Sequence, residues 1–376
     1  MFQNRRIALL IALVFVLSLT LGACQPQTVV ETVEVEVEKI VEVEKEVIVE
    51  KEVEVEVEKI VEVEKENMAD NYKLAVILPG VITDADYNTL GYIASTTVAS
   101  ELGVQSAYSE SVPPPDVDRV MREYIDAGFN IIFTHGGQFQ SQTVELAKQF
   151  PDVAFITEGD GAVEDPPPNF WLLDRNFHVS FYVLGATAAK ISTTGKIGYL
   201  GGLALPFSNA EYNAINQALV DQGMEDVELV AVWTGDFNDP TKARQVADTM
   251  MGDGVDVIMG AVNLGMFGIF EGVKAHGGEG TDKVLVTAKY SDKTSFAPDN
   301  YVTACLYDFA TPIKEITEKI MAGELGGYYP MEFGSGINIQ VPLQNVSEDV
   351  QAEVDVIIAD ILSGDVVVEK NTTALE

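Results

Sequence analysis

The chain has 376 residues, with 59 Asp and Glu against 23 Lys and Arg and a formal net charge of −36. A hydrophobic share of 47 % supports large buried cores and excludes global disorder, and the acidic balance argues against a nucleic-acid binder. Two cysteines and three histidines leave no basis for a disulfide framework or a Cys- or His-rich metal centre.

The N-terminus reads as an export address. Arg5 and Arg6 form a basic start, and Ile7–Leu21 is an apolar run, short for a permanent membrane helix and right for a signal. Leu21-Gly22-Ala23-Cys24 follows, with small residues ahead of a cysteine. The segment resembles a bacterial lipobox, which implies cleavage after residue 23 and a lipid on Cys24; an uncleaved anchor or ordinary secretion is the alternative. Either way the remainder is expected outside the cytoplasmic membrane.

Residues 24–71 read as a stalk. EVEVEKIVEVEKE occurs at 34–46 and again at 54–66, and such a segment cannot bury a core of its own. Val33–Val37 and Val53–Val57 alternate with strand period, whereas Val33, Ile40 and Val47 stand at heptad spacing. A helical and an extended stalk both remain open, as does self-association. Residues 29–66 carry −10 and 1–28 carry +2, leaving −28 on 67–376.

From Tyr72 onward, apolar strands alternate with amphipathic helices. Strands are predicted at 73–78, 130–134, 153–157 and 169–173, and helices at 87–102, 116–127 and 141–149. The cycle restarts with a helix at 177–191. Strands follow at 196–200, 228–233, 255–262, 283–288 and 301–306, with helices at 209–222, 240–251, 264–276, 312–322 and 350–362. Continuous apolar strands alternating with helices mean parallel sheets covered on both faces. Two such runs predict an α/β protein of two doubly wound lobes. Cys305, inside the apolar stretch Tyr301–Leu306, is expected to be a buried, inert thiol.

Ligands of such sheets lie beyond the carboxyl ends of the strands, so one site is expected in a cleft between the lobes. After the first strand come Asp84, Tyr87 and Asn88: a carboxylate at a helix start, an aromatic face, and an amide that can give and accept one hydrogen bond each. Asp84 also suits a helix cap. Gly137 and Phe139 follow His135 at the next strand end, where paired glycines let backbone approach a ligand. Trp233 reads as a stacking plate with polar residues after it, or as a core residue. Asp239, just before Pro240, reads as an orienting group or a helix cap. Asn263 completes the set of polar strand-end candidates. No G-x-S-x-G, GxxxxGK[ST], HExxH or GxGxxG after the first strand is present, so no catalytic residue, metal or cofactor is assigned and the chain is not expected to be an enzyme.

Asp84-x-x-Tyr87-Asn88, Phe237-Asn238-Asp239-Pro240, Gly195-Lys196-Ile197-Gly198-Tyr199 and Gly254-Val255-Asp256-Val257-Ile258, in that setting, resemble the basic membrane protein (BMP) family of solute-binding lipoproteins. The resemblance covers roughly 72–345. It implies a type I periplasmic-binding-protein-like fold that closes about a hinge, and the role of receptor for an ABC permease. It further implies a purine nucleoside or purine base as ligand, stacked on Tyr87 and contacted by Asn88, with Asp292 standing where the family carries an acid. A membrane sensor with the same fold, or a receptor for another solute such as a sugar, is the alternative. Three crossings between lobes, near 176, 303 and 328, would give lobe one as 72–176 with 304–327 and lobe two as 177–303 with 328–366. Residues 367–376 are expected to be a tail, loose from Glu369 on, and the protein a lipid-anchored monomer on the cell membrane.

Overall fold

The computed structural model describes residues 68–375. The signal, Cys24 and nearly all of the stalk lie outside the described residues. The first half of the body contains β1 (Lys73–Ile77), α1 (Tyr87–Leu102), β2 (Gln105–Ser109), α2 (Val117–Asp126), β3 (Ile131–Thr134), α3 (Gln140–Ala147), β4 (Ala154–Gly159) and β5 (Phe170–Arg175). The second half contains α4 (Phe177–Ile191), β6 (Lys196–Gly201), α5 (Pro206–Asp221), β7 (Glu228–Trp233), α6 (Pro240–Gly252), β8 (Val257–Ala261), α7 (Gly265–His276), β9 (Leu285–Tyr290) and β10 (Tyr301–Tyr307). The chain closes with α8 (Ala310–Met321), β11 (Gly327–Phe333), β12 (Gly336–Ile339) and α9 (Glu348–Ser363).

The strands run β2-β1-β3-β4-β5-β11-β12-β10-β9-β8-β6-β7. Among the described strands, β12 alone pairs antiparallel, against β10. The two halves meet where β11 and β12 pair over two residues each, Glu332 with Gly336 and Phe333 with Ile337. Each half is therefore a parallel sheet with helices on both faces, the second edged by antiparallel β12, the two-lobed α/β architecture that the alternating pattern predicts. One apolar cluster runs along one face of both halves and takes in α1, α4, α5, α8 and α9. Two smaller clusters fill the other faces, beneath α2 and α3 in the first half and beneath α6 and α7 in the second. Cys305 is fully buried on β10, and burial pushes its thiol up to about 12.

The crossings differ from expectation at two of three places. The chain passes from β5 to α4 at Asn176. It stays in the second half through Tyr307, because β10 pairs with β9 at Tyr301 and from Ala304 to Leu306, and with β12 from Cys305 to Tyr307. It then turns at Asp308, whose carboxylate accepts from the backbone of Ala310 and Thr311 and so starts α8, which packs on α1. β11 pairs with β5 from Gly327 to Met331, so the return falls at Gly334-Ser335 rather than near 328. Gly334 and Gly336 make that reversal at φ 86° and 90°, a region that favours glycine.

The C-terminal tail corrects a second expectation, for it is docked along α5. Asn213 Nδ2 donates to the carbonyls of Asn371 and Thr373, Asn209 Nδ2 to that of Thr372, and Gln217 Nε2 to that of Val367. Gln217 Oε1 accepts from Glu369 N. Lys370 reaches Asp174, near the end of β5, at 2.5 Å. These three amides lie four residues apart on α5, so they form one stripe, which satisfies the main chain of an extended segment.

Candidate functional site

A cavity of about 330 Å³ lies between the halves at the carboxyl ends of β1, β3, β5, β6, β7, β8 and β9. The first half contributes Pro79, Gly80, Tyr87, Asn88, Pro114, Gln138 and Arg175. The second contributes Leu203, Leu205, Phe207, Phe237, Asn238, Asn263 and Tyr290. Four aromatic rings wall it. Phe207 and Phe237 are nearly parallel at 6.1 Å, and Tyr87 and Tyr290 tilt together at 5.7 Å.

Tyr87 is held from behind. Asp84 starts its helix by accepting from the backbone of Asp86, Asn88 and Thr89, which satisfies donors that a helix start leaves open. The Tyr87 ring stacks on His135 at 3.9 Å, and its hydroxyl donates to Glu158 at 2.5 Å. His135 Nε2 lies 2.7 Å from the Tyr87 carbonyl, and Nδ1 contacts Glu158. Arg175 forks onto Asp160 through Nε and Nη2, at 3.2 and 2.7 Å, and its Nη1 lies 3.5 Å from Glu158. Burial alone would raise the Glu158 carboxyl, but His135 and Arg175 outweigh it and hold the group below its ordinary range. Burial and the neighbouring Glu158 drive the Tyr87 phenol well above its usual value, so it remains a donor.

Two further buried pairs flank the cavity. Lys293 joins Asp86 between the halves, and beside it Ser291 Oγ donates to the Ala85 carbonyl at 3.2 Å. Burial raises Asp86 to about 7 against the pull of Lys293. Lys289 pairs with Glu211 at 2.5 Å behind Phe207, with its Nζ 4.8 Å from that ring. Glu211 also accepts from the Tyr199 hydroxyl at 2.8 Å.

Three of the nine ligand candidates line the cavity: Tyr87, Asn88 and Asn263. The Asn88 amide is already engaged, accepting from Gly80 N at 2.9 Å and donating to Asp84 at 2.6 Å. Asn263 is different: its Oδ1 is buried and without a hydrogen-bond partner. Asp84 is buried under the helix start. Gly137 sits just outside, where a Cβ would stand 2.9 Å from Arg175 Nη2.

The other four are placed elsewhere. Phe139 is fully buried in the core beneath α2 and α3. Trp233, at the end of the edge strand β7, packs against Tyr199 and Tyr212 and is not among the lining residues. Asp239 caps α6 by accepting from Lys242 N at 3.0 Å. Asp292 is exposed and accepts from Thr294 N and Oγ1, bonds that lower its carboxyl.

Sequence reasoning missed Glu158, Arg175, Phe207 and Tyr290. Glu158 and Arg175 end apolar strands, and inspecting the ends of β4 and β5 as closely as the others would have raised them. The described residues contain no group of three or more His, Cys, Asp or Glu suited to a metal ion.

Two α/β halves with a cavity at their facing strand ends are the architecture of a solute-binding protein. Residues 71–371 match the family described as ABC transporter substrate-binding protein PnrA-like, and the chain belongs to that family. Basic membrane protein A2 of Borrelia garinii subsp. bavariensis is 25 % identical over 311 residues, covering 81 % of this chain and 90 % of that protein. A purine-binding protein of Brucella abortus is 26 % identical over 274 residues, covering 70 % and 72 %. Among solved structures, an ABC transporter solute-binding protein from Aeropyrum pernix K1 superposes with a TM-score of 0.68 at 19 % identity, covering 80 % of this chain and 94 % of that one.

Proposed function

We propose that this protein is the extracytoplasmic receptor of an ABC importer, lipid-anchored through Cys24, whose two halves close as lobes on a purine base or purine nucleoside and present it to a permease. The observation that carries the reading is the cavity itself. Tyr87, Phe207, Phe237 and Tyr290 offer ring faces, and beside them Asn263 Oδ1 is a buried acceptor with no partner in the chain. Apolar walls with a few fixed polar groups are the usual form of a small-molecule site, and the π-face of a flat heterocycle stacks on such rings. The resemblance to a purine-binding protein points the same way. Closure about the crossings at Asn176, Asp308 and Gly334-Ser335 would be a hinge motion.

Titration calorimetry of the full chain with purine bases, purine nucleosides, ribose and an amino-acid panel tests this. A purine response with a silent sugar and amino-acid panel is expected; tight sugar or amino-acid binding without a purine response would overturn the ligand assignment.

A further inference from the structure

We infer that the cavity selects purines carrying a 6-oxo group over adenine, and that Arg175 is the residue that makes the choice. The inference rests on the purine reading above and deepens it. Arg175 lines the cavity although it is almost fully buried. A guanidinium carries five N–H donors and accepts nothing. Asp160 takes one from Nε and one from Nη2. Nη1 has only long contacts, 3.4 Å to the Tyr87 hydroxyl and 3.5 Å to Glu158. The fork is thus fixed from one side by carboxylates, with its Cζ over the Phe207 ring at 5.1 Å, and it keeps donor capacity for what enters the cavity.

The remaining polar lining groups do not force the choice. Gln138, Asn238 and Asn263 are amides that pair with a ring edge of either pattern by turning over, and the Tyr290 hydroxyl can give or accept; Asn88 is committed to Gly80 and Asp84, and the Tyr87 O–H to Glu158. Arg175 cannot turn over. It requires acceptors, and a 6-oxopurine offers its carbonyl oxygen and N7 side by side, the pair an arginine fork reads on guanine. Adenine puts an amino group there, donor against donor. The carboxylates that could accept from an amino group, Glu158 and Asp160, are not among the residues lining the cavity and are taken up by Tyr87, His135 and Arg175 itself. Asn263 Oδ1 then accepts a ring N–H from the second half, so the same ligand engages both halves.

The test is calorimetry of the unaltered full chain with hypoxanthine, unsubstituted purine and adenine. Hypoxanthine should bind about 10- to 100-fold more tightly than adenine, the penalty of a buried unpaired donor, with purine between them. Adenine binding as tightly as hypoxanthine, or more tightly, overturns the selectivity and leaves the purine reading standing. No response to any of the three, with a sugar or amino acid bound instead, takes both down. Arg175→Lys provides a second arm. It keeps the charge beside Asp160 but loses the planar fork, so the hypoxanthine-to-adenine ratio should shrink toward one. A ratio unchanged in a folded Arg175→Lys protein would also overturn the assignment.

Discussion

At the scale of single residues, Tyr87 and Asn263 face the same cavity, and their substitutions should part company. Tyr87→Phe keeps the ring but removes the O–H that Glu158 accepts. A buried carboxylate short of one donor costs about 1–3 kcal/mol, so the melting temperature should fall while ligand affinity changes little. Asn263→Ala removes an amide whose Oδ1 serves no other residue. Its melting temperature should hold, and affinity should drop about tenfold or more. Thermal denaturation and calorimetry on the two variants separate these outcomes. Tyr87, Asn88 and Asn263 were legible because each follows a strand at its carboxyl end, where the fold puts ligands. Trp233 and Phe139 were not. Residue type does not reveal which side of a strand or turn a ring occupies, and both rings turn into packing. Glu158 and Arg175 were passed over although their place at the ends of buried strands was readable; what the sequence does not carry is their pairing, since only the neighbouring strand brings His135 to Glu158.

Among the elements, those built on continuous apolar runs were readable to within a few residues. Three strands were not. β2 is a half-exposed edge strand of mostly polar sequence, β11 contains Pro330, which cannot donate to a ladder, and β12 is only four residues long. The tail escaped notice as well, because its partners are side-chain amides that leave no periodic trace. Ending the chain after Val366 should strip three amides of α5 of their partners, take the Val368 carbonyl from His178 and remove Lys370 from Asp174. The melting temperature should fall by several degrees. Lys370→Ala should cost less, since Asp174 still accepts from Tyr328 and from Gly161 N.

For the whole molecule, the Asp86–Lys293 pair sets a pH dependence. Asp86 titrates at about 7 in the folded protein, against 3.8 ordinarily. The folded form therefore binds more protons than the unfolded form between those values, and this group's contribution to stability declines as pH rises from about 4 to 7. Asp84, Lys289 and Lys293 are the charged groups acting on it. Asp86→Asn removes that titration. The melting temperature of the variant relative to the unaltered protein should rise steadily from pH 4 to pH 7 and level off above. A flat difference across that window would show that Asp86 keeps an ordinary carboxyl. The same pair joins the β1–α1 loop to the segment after β9, so separating the halves must hydrate two charges together.

The docked tail has a consequence for how this protein can diverge. The α5 amides hold backbone atoms, which every residue supplies, so most positions between Asp365 and Ala374 can change identity at little cost. Their number is another matter. Deleting or inserting one residue before Lys370 would shift each carbonyl off its amide and carry the ammonium away from Asp174. In descendants of this gene the segment should therefore drift in spelling while keeping its count, a constraint on insertions and deletions rather than on substitutions.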